Sequence, residues 1–219
     1  MGTAIQNFEQ QIVNLTFALQ LYDGFTGTTM LQGNVTASAV NGENATLKPA
    51  SGQFLFFTLN AGAHVINIVP DPVTAYYLPA VINLTLPMST PLWPAFPDRA
   101  LANPSLLLDD PAQPAAYRNQ LALATLRPAV AYPFPGTASL VRGTVRLGGN
   151  PLAGATVSGP AGTPQYLTAA DGQYVLFFLS VAGTGDPVTL QVSHPAHATV
   201  NAAITVRRST TTRQDFVMA

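Results

Sequence analysis

Residue types able to do chemistry are few and scattered in this 219-residue chain. Its histidines are His64, His194 and His197, and the last two stand three apart in "HPAH". A helical H-E-x-x-H puts both imidazoles on one side, whereas a strand or turn with that spacing does not, so no metal site is expected there. Adjacent Asp109 and Asp110 in "LLDDP" offer oxygen ligands of the kind calcium takes, but no D-x-D-x-D-G spacing and no third nearby acid accompanies them. The absence of cysteine removes disulfides, zinc ribbons and thiol nucleophiles. Serine and threonine are plentiful, yet no G-x-S-x-G elbow occurs and no histidine and acid are placed beside a nucleophile by spacing. The expectation is a protein with no catalytic residue, no cofactor and no metal.

Composition narrows the alternatives. Charged residues make up 9% of the chain and hydrophobic ones 47%, against about 25% charged in an average soluble protein. With so little charge to keep molecules apart, much of the surface is expected to be covered by partners in the working state. A net charge of -1 argues against nucleic acid, which needs a basic stripe. No run of about 18 apolar residues is present, and the start "MGTAIQNFEQQ" lacks a basic region followed by an apolar one. The chain therefore reads as made in the cytoplasm without a signal peptide and without membrane insertion. Four N-x-T triplets, at Asn14, Asn34, Asn44 and Asn83, read as polar positions in Thr-rich strands, with glycosylation as the alternative.

The elements that carry these residues are strands. Short runs with period-two alternation, bounded by Gly, Pro, Asn or Asp, recur along the chain. They include "NLTFALQLYD", "GNVTASAV", "GQFLFFTL", "HVINIVP" and "AVINLTLP", then "ASLVRGTVRL", "AGATVSG", "GQYVLFFLS", "VTLQVSHP", "ATVNAAITV" and "TTRQDFVM". Both sets have the same order. Gly52-Gln53-Phe54 falls on Gly172-Gln173-Tyr174, and Leu31-Gln32-Gly33 on Leu152-Ala153-Gly154, at an offset of 120 or 121 residues. That consistency predicts an internal duplication. Gly52 and Gly172, the latter after Asp171, are expected to define the repeated turn by taking positive φ. Tyr174 and Phe54 should then point into a core.

Four segments follow: an N-terminal arm at 1–14, a first sandwich at 15–87, a connector at 88–136 and a second sandwich at 137–219. The connector is rich in proline and should run extended over the surface, with "AAYRNQLALATL" as one short helix or a strand. Its Leu92, Trp93, Phe96, Leu106, Leu107, Leu108, Tyr132 and Phe134 are too many apolar residues for a free linker. We expect the connector to pack onto the domains or a neighbour, with Leu92, Trp93, Phe96 and Leu106 to Leu108 as the candidate interface.

The second half resembles the carboxypeptidase regulatory-like domain family. The residues that carry the likeness are Gly143 and Val145, then Pro151, Leu152, Gly154, Ala155 and Val157, then Asp171, Gly172, Tyr174 and Phe177. They match a G-x-V, P-L-x-G-A-x-V and D-G-x-Y-x-F pattern over about 80 residues, with Phe177 one position late. The first half departs further, with Ser51 in place of the motif Asp and "MLQGNV" in place of the Pro-Leu turn. The resemblance implies an all-β fold of two tandem Ig-like or transthyretin-like β-sandwiches, without zinc chemistry. It also implies a non-enzymatic structural or adaptor protein within a larger assembly. The lead-in "PFPGTASLVRGTVRL" and the tandem arrangement also look similar to small regulatory-like domain proteins associated with phage-tail-like contractile injection particles, which would place the chain in a particle released or displayed outside the cell. The alternatives are a self-assembling surface filament and a carbohydrate-binding or adhesive module stacking sugars on Trp93, Tyr76 and Tyr77. Partners are expected to be proteins or further copies of the chain.

Overall fold

A computed structural model describes residues 15–30, 34–88 and 121–219. Every regular element among the described residues is a strand. The first half holds β1 (Phe17–Asp23), β2 (Val35–Ala39), β3 (Thr46–Lys48), β4 (Gln53–Phe56), β5 (Gly62–Pro70), β6 (Ala80–Leu86) and β7 (Leu121–Leu126). Two sheets result, in the orders β3-β4-β1-β7 and β2-β5-β6. Alternation along each strand aims one row of side chains between them. Phe17, Leu19, Leu21 and Phe56 from one sheet meet Ile66, Ile68 and Leu84 from the other in one buried core. The Phe17 and Phe56 rings stack at 4.6 Å, as expected for cross-strand partners.

The second half contains β8 (Ser139–Leu147), β9 (Asn150–Pro151), β10 (Thr156–Ser158), β11 (Tyr166–Leu167) and β12 (Gln173–Phe178). β13 (Asp186–His194), β14 (His197–Val206), β15 (Thr211–Arg213) and β16 (Phe216–Met218) follow. Its sheets run β11-β10-β13-β14 and β12-β8-β15, with β16 and β9 also on β8. Tyr174, Leu176, Val145, Leu190, Val192 and Phe216 are the centre of its core.

The same pairings occur in both halves. β4 lies antiparallel to β1 as β12 lies to β8. The hairpin β5–β6 has its counterpart in β13–β14, and β2 joins β5 as β10 joins β13. Gly52 and Gly172 share a φ of +67°. In the second turn Asp171 Oδ1 accepts from the Gln173 amide at 3.0 Å. In the first, Ser51 Oγ instead donates to Gln53 Oε1 at 3.0 Å. One strand differs: β3 pairs with β4, whereas β11 pairs with β10 in the opposite sheet.

The first sandwich does not end at 87. Leu121–Leu126, expected to belong to the Pro-rich connector, runs parallel to β1 along its whole length. Alternation is missing because both faces of this sheet are covered. Ala122, Ala124 and Leu126 enter the main core, while Leu121 and Leu123 join Ala18, Tyr22 and Leu55 in a smaller cluster. A strand buried on two sides reads as a continuous apolar run. This segment is strand, which removes the helix alternative for 121–126; the rest of the connector's helix expectation, up to residue 120, lies outside the described residues.

The Gly-x-Val and Asp-Gly-x-Tyr motifs meet in space. Tyr174 sits directly across from Gly143, and its hydroxyl donates to the Gln214 carbonyl at 2.6 Å. A Cβ on Gly143 would fall on that same carbonyl and reach Tyr174 Cε1 at 3.0 Å. Gly143 thus makes the room in which the last strand bends between β15 and β16. Leu19 and Phe54 hold these places in the first half, where β7 continues unbroken. We expect Gly143→Ala to destabilise the protein by at least about 3 kcal/mol, since backbone must move. Gly172→Val should cost roughly 1–3 kcal/mol from its φ alone; a Cβ there also lies 2.5 Å from the Val145 carbonyl. Urea midpoints measure both, and an unchanged midpoint for either would contradict the packing described.

Candidate functional site

The most constrained polar group among the described residues is Asp23, at the end of β1 and 6% exposed. Its carboxylate accepts four hydrogen bonds. Oδ1 takes the amides of Phe25 at 2.7 Å and Thr26 at 2.8 Å, the local turn that a "DGFTG" sequence favours. Oδ2 takes the hydroxyls of Tyr77 and Tyr132, each at 2.6 Å. Gly24 is required beside it, because a Cβ there would stand 2.6 Å from the Leu126 carbonyl. Burial, followed by the hydrogen bond to Asp23 and its charge, pushes both phenols far above the usual tyrosine range.

This network holds the place where the halves meet. Phe25 packs edge-on against Tyr132, Phe134 and Phe177, with ring centres at 6.0, 5.1 and 5.4 Å. The Arg142 guanidinium lies 5.5 Å from the Phe134 ring centre and donates to the Val130 carbonyl at 3.0 Å. Burial pushes the Tyr166 phenol up to about 12, against the lowering effect of a backbone hydrogen bond from Val130. Connector residues Val130, Tyr132 and Phe134 therefore pack inward where the two cores meet, while Arg127, Ala131 and Pro133 of the same stretch are exposed. Beside them lies a cleft of about 580 Å³ lined by Leu78, Thr125, Arg127, Leu167 and Thr168 among others. Arg127 spans it to the Gln165 carbonyl at 3.0 Å. None of this presents a nucleophile beside a base: the Asp23 carboxylate is sealed by its four donors, so the arrangement orders structure and leaves no reactive oxygen open.

The outer faces of the two hairpin sheets are different in kind. On the first, Thr36 lies opposite Val69 and Ser38 opposite Asn67, with Val65 opposite Asn83 and Asn67 opposite Val81. Val65, Val69 and Val81 are all exposed. On the second, Gln191 faces Asn201, Thr189 faces Ala203 and Pro187 faces Thr205, flanked by Thr156 and Ser158. Neither face carries a charged side chain, since the charges lie elsewhere, as with Arg142 and Arg146 on β8 and Asp215 beside it. Hydrogen bonds from Thr144 and Arg213 hold the Asp215 carboxyl below its usual range, although its partial burial acts in the opposite direction.

Several residues singled out by sequence find their places here. Leu92, Trp93, Phe96, Leu106, Leu107 and Leu108 lie outside the described residues, as do Asp109, Asp110 and Asn14. Tyr77 is not a stacking surface for sugars, because its ring is 7% exposed and its hydroxyl is spent on Asp23. His64 Nε2 lies 2.7 Å from the Asn60 carbonyl. His194 and His197 correct the expectation drawn from their spacing. Residues three apart that flank a two-residue turn become cross-strand partners, so their rings do share a side, with centres 4.8 Å apart. Asp23 itself went unnoticed, since its tyrosines lie 54 and 109 residues away; the only local signal was the turn sequence.

The buried phenols make stability fall in alkali. Both folded values lie above the unfolded value of about 10, so their contribution is complete below that pH and is lost as pH rises past it. Each such tyrosine should steepen the loss by about 1.4 kcal/mol per pH unit. Tyr132→Phe is expected to lower stability near neutrality by about 1.5–3 kcal/mol, the worth of a hydrogen bond to a charged acceptor, and to flatten the alkaline slope by one proton. Urea titrations between pH 7 and 11 measure both; an unaltered slope would show that this phenol ionises freely.

No protein-family model matches the sequence, and neither does any curated protein. Among solved structures, the chain is similar to the Bacillus anthracis TIE protein at 9% identity and a TM-score of 0.28, over 93% of this chain and 34% of that one. It thus spans about a third of the TIE chain's length. A candidate cell adhesion protein from Bacteroides ovatus is similar at 10% identity and a TM-score of 0.26, covering 95% of each chain. The D0-D1 domain of intimin is similar at 11% identity and a TM-score of 0.21, over 88% of this chain and 98% of that one.

Proposed function

We propose that this chain is a non-enzymatic structural or adhesive protein that works by protein contact inside a larger assembly. The observation that carries this reading is the absence of charge from the outer faces of both hairpin sheets, where Val65, Val69 and Val81 stand exposed among Thr, Ser and Asn. Solvated sheet faces and edges usually carry Lys and Glu, which keep molecules apart. A face of uncharged side chains is cheap to cover, because no ion has to be desolvated, and covering the exposed valines removes apolar surface from water. The likeness to carboxypeptidase regulatory-like domains supports a spacing, capping or joining role. A component of a phage-tail-like contractile injection particle is the form that we favour.

A second reading, a self-assembling filament, is favoured by β14. Among the described residues it has β13 as its single strand neighbour, and its ten residues "HATVNAAITV" include no Lys, Arg, Asp, Glu or Pro. Such an edge can be extended by a strand from another molecule through backbone hydrogen bonds.

Placing a lysine on each face, Val81→Lys with Ala203→Lys, separates folding from assembly. Both positions are solvent-facing, so the change in stability should stay within about 0.5 kcal/mol. Large complexes that co-purify with the wild-type protein from its native source should be lost from the double variant. Retention of those complexes, or a wild-type chain that stays monomeric at high concentration and enters no complex in its cell, would overturn the proposal.

A further inference from the structure

We infer that His194 and His197 form a two-imidazole binding site for a borderline divalent transition ion such as Zn²⁺ or Cu²⁺. The hairpin β13–β14 turns through Pro195 and Ala196, which makes the two histidines direct cross-strand partners. Their rings lie 4.8 Å apart, centre to centre, with planes 33° from parallel. An ion held about 2.0–2.1 Å from one nitrogen of each ring, at an angle between a right angle and a tetrahedral one, sets the ring centres roughly 4.5–5 Å apart. The hairpin therefore already holds the spacing that chelation requires, and the entropy of bringing two ligands together has been met by folding.

The coordinating nitrogen of His194 can be assigned. Ala196 N–H donates to His194 Nδ1 at 3.2 Å, which leaves Nε2 of that ring as the coordinating atom. Gly154 is its neighbour, and a Cβ on that glycine would come within van der Waals contact of Nε2, at 3.8 Å. Both histidines are partly exposed. Coordination through Nε2 shifts the ring proton of neutral His194 to Nδ1, which can then no longer accept from Ala196. The Ala196 amide thus becomes a reporter of the bound state. Among the described residues no third His, Cys, Asp or Glu joins the pair as a ligand, so a bound ion would take water in its remaining positions. Two imidazoles without carboxylates suit zinc, copper or nickel and not calcium or magnesium, with copper bound more tightly than zinc.

Titration of the full chain with ZnCl₂ and with CuCl₂ by calorimetry tests the site, using His194→Gln, His197→Gln, their combination and His64→Gln. One ion per chain is expected. Either hairpin variant should weaken binding by at least about tenfold, and the double variant should be little weaker than either single, because both rings serve one ion. His64→Gln should leave affinity within about twofold. In nitrogen-edited spectra of the wild-type protein, both rings and the Ala196 amide should move together over one ion concentration range, which keeps the inference testable should a variant fold poorly. Wild-type affinity in either hairpin variant, rings that respond over separate ranges, or binding that leaves both rings unmoved would overturn it.

Discussion

The structure depends on one buried carboxylate. Asp23 lies inside the protein with no cation against it among the described residues, and such a group is tolerable only when its oxygens are fully hydrogen-bonded. Two backbone amides and two phenols supply the four bonds. Each donor belongs to a segment that must then stay in place: the turn after β1, the loop before β6 and the stretch after β7. Those segments deliver Phe25 and Phe134 to the surface of the second sandwich, where Phe177 receives them. In a chain so poor in charge, this interaction has little electrostatic company. The one ion pair among the described residues joins Arg213 and Asp215 at 3.0 Å and is largely exposed, a setting in which such pairs contribute little.

The two halves show how one strand plan is locked by different chemistry. In the second, Tyr174 reaches past Gly143 to the Gln214 carbonyl, and the closing strand is broken there into β15 and β16. In the first, Leu19 and Phe54 fill the same places with hydrocarbon, and the closing strand stays whole. Its far end is fixed beside Asp23 instead: Gly24 N–H donates to the Leu126 carbonyl at 2.9 Å, and the Asp23 carboxylate accepts from Tyr132 just beyond the strand. Each sandwich therefore closes its first strand against its last, once through a tyrosine and glycine pair and once through an acid.

Much of the fold was legible in the sequence, because every long strand that is wet on one face alternates: β5, β6, β13 and β14 carry their own pattern. What escaped reading were features created by distant partners. β7 does not alternate because the sheet beside it is covered on both faces. The role of Asp23 appears only when Tyr77 and Tyr132 arrive from far along the chain. His194 and His197 were expected to point apart in a strand or turn, whereas a two-residue turn reverses the chain and makes positions three apart into neighbours. The uncharged outer faces were visible only as a low charge count, since composition does not say which strand positions point outward.

The central claim is that the Asp23 carboxylate holds the junction, and native-state hydrogen exchange at the two amides bonded to it tests this most directly. The Phe25 and Thr26 amides should exchange as slowly as those of buried β1 residues such as Leu19 and Leu21, through the same opening event. Asp23→Ala should release those two amides while β12 to β14 keep their protection. Fast exchange of Phe25 and Thr26 in the wild-type protein, with β1 still protected, would contradict the account.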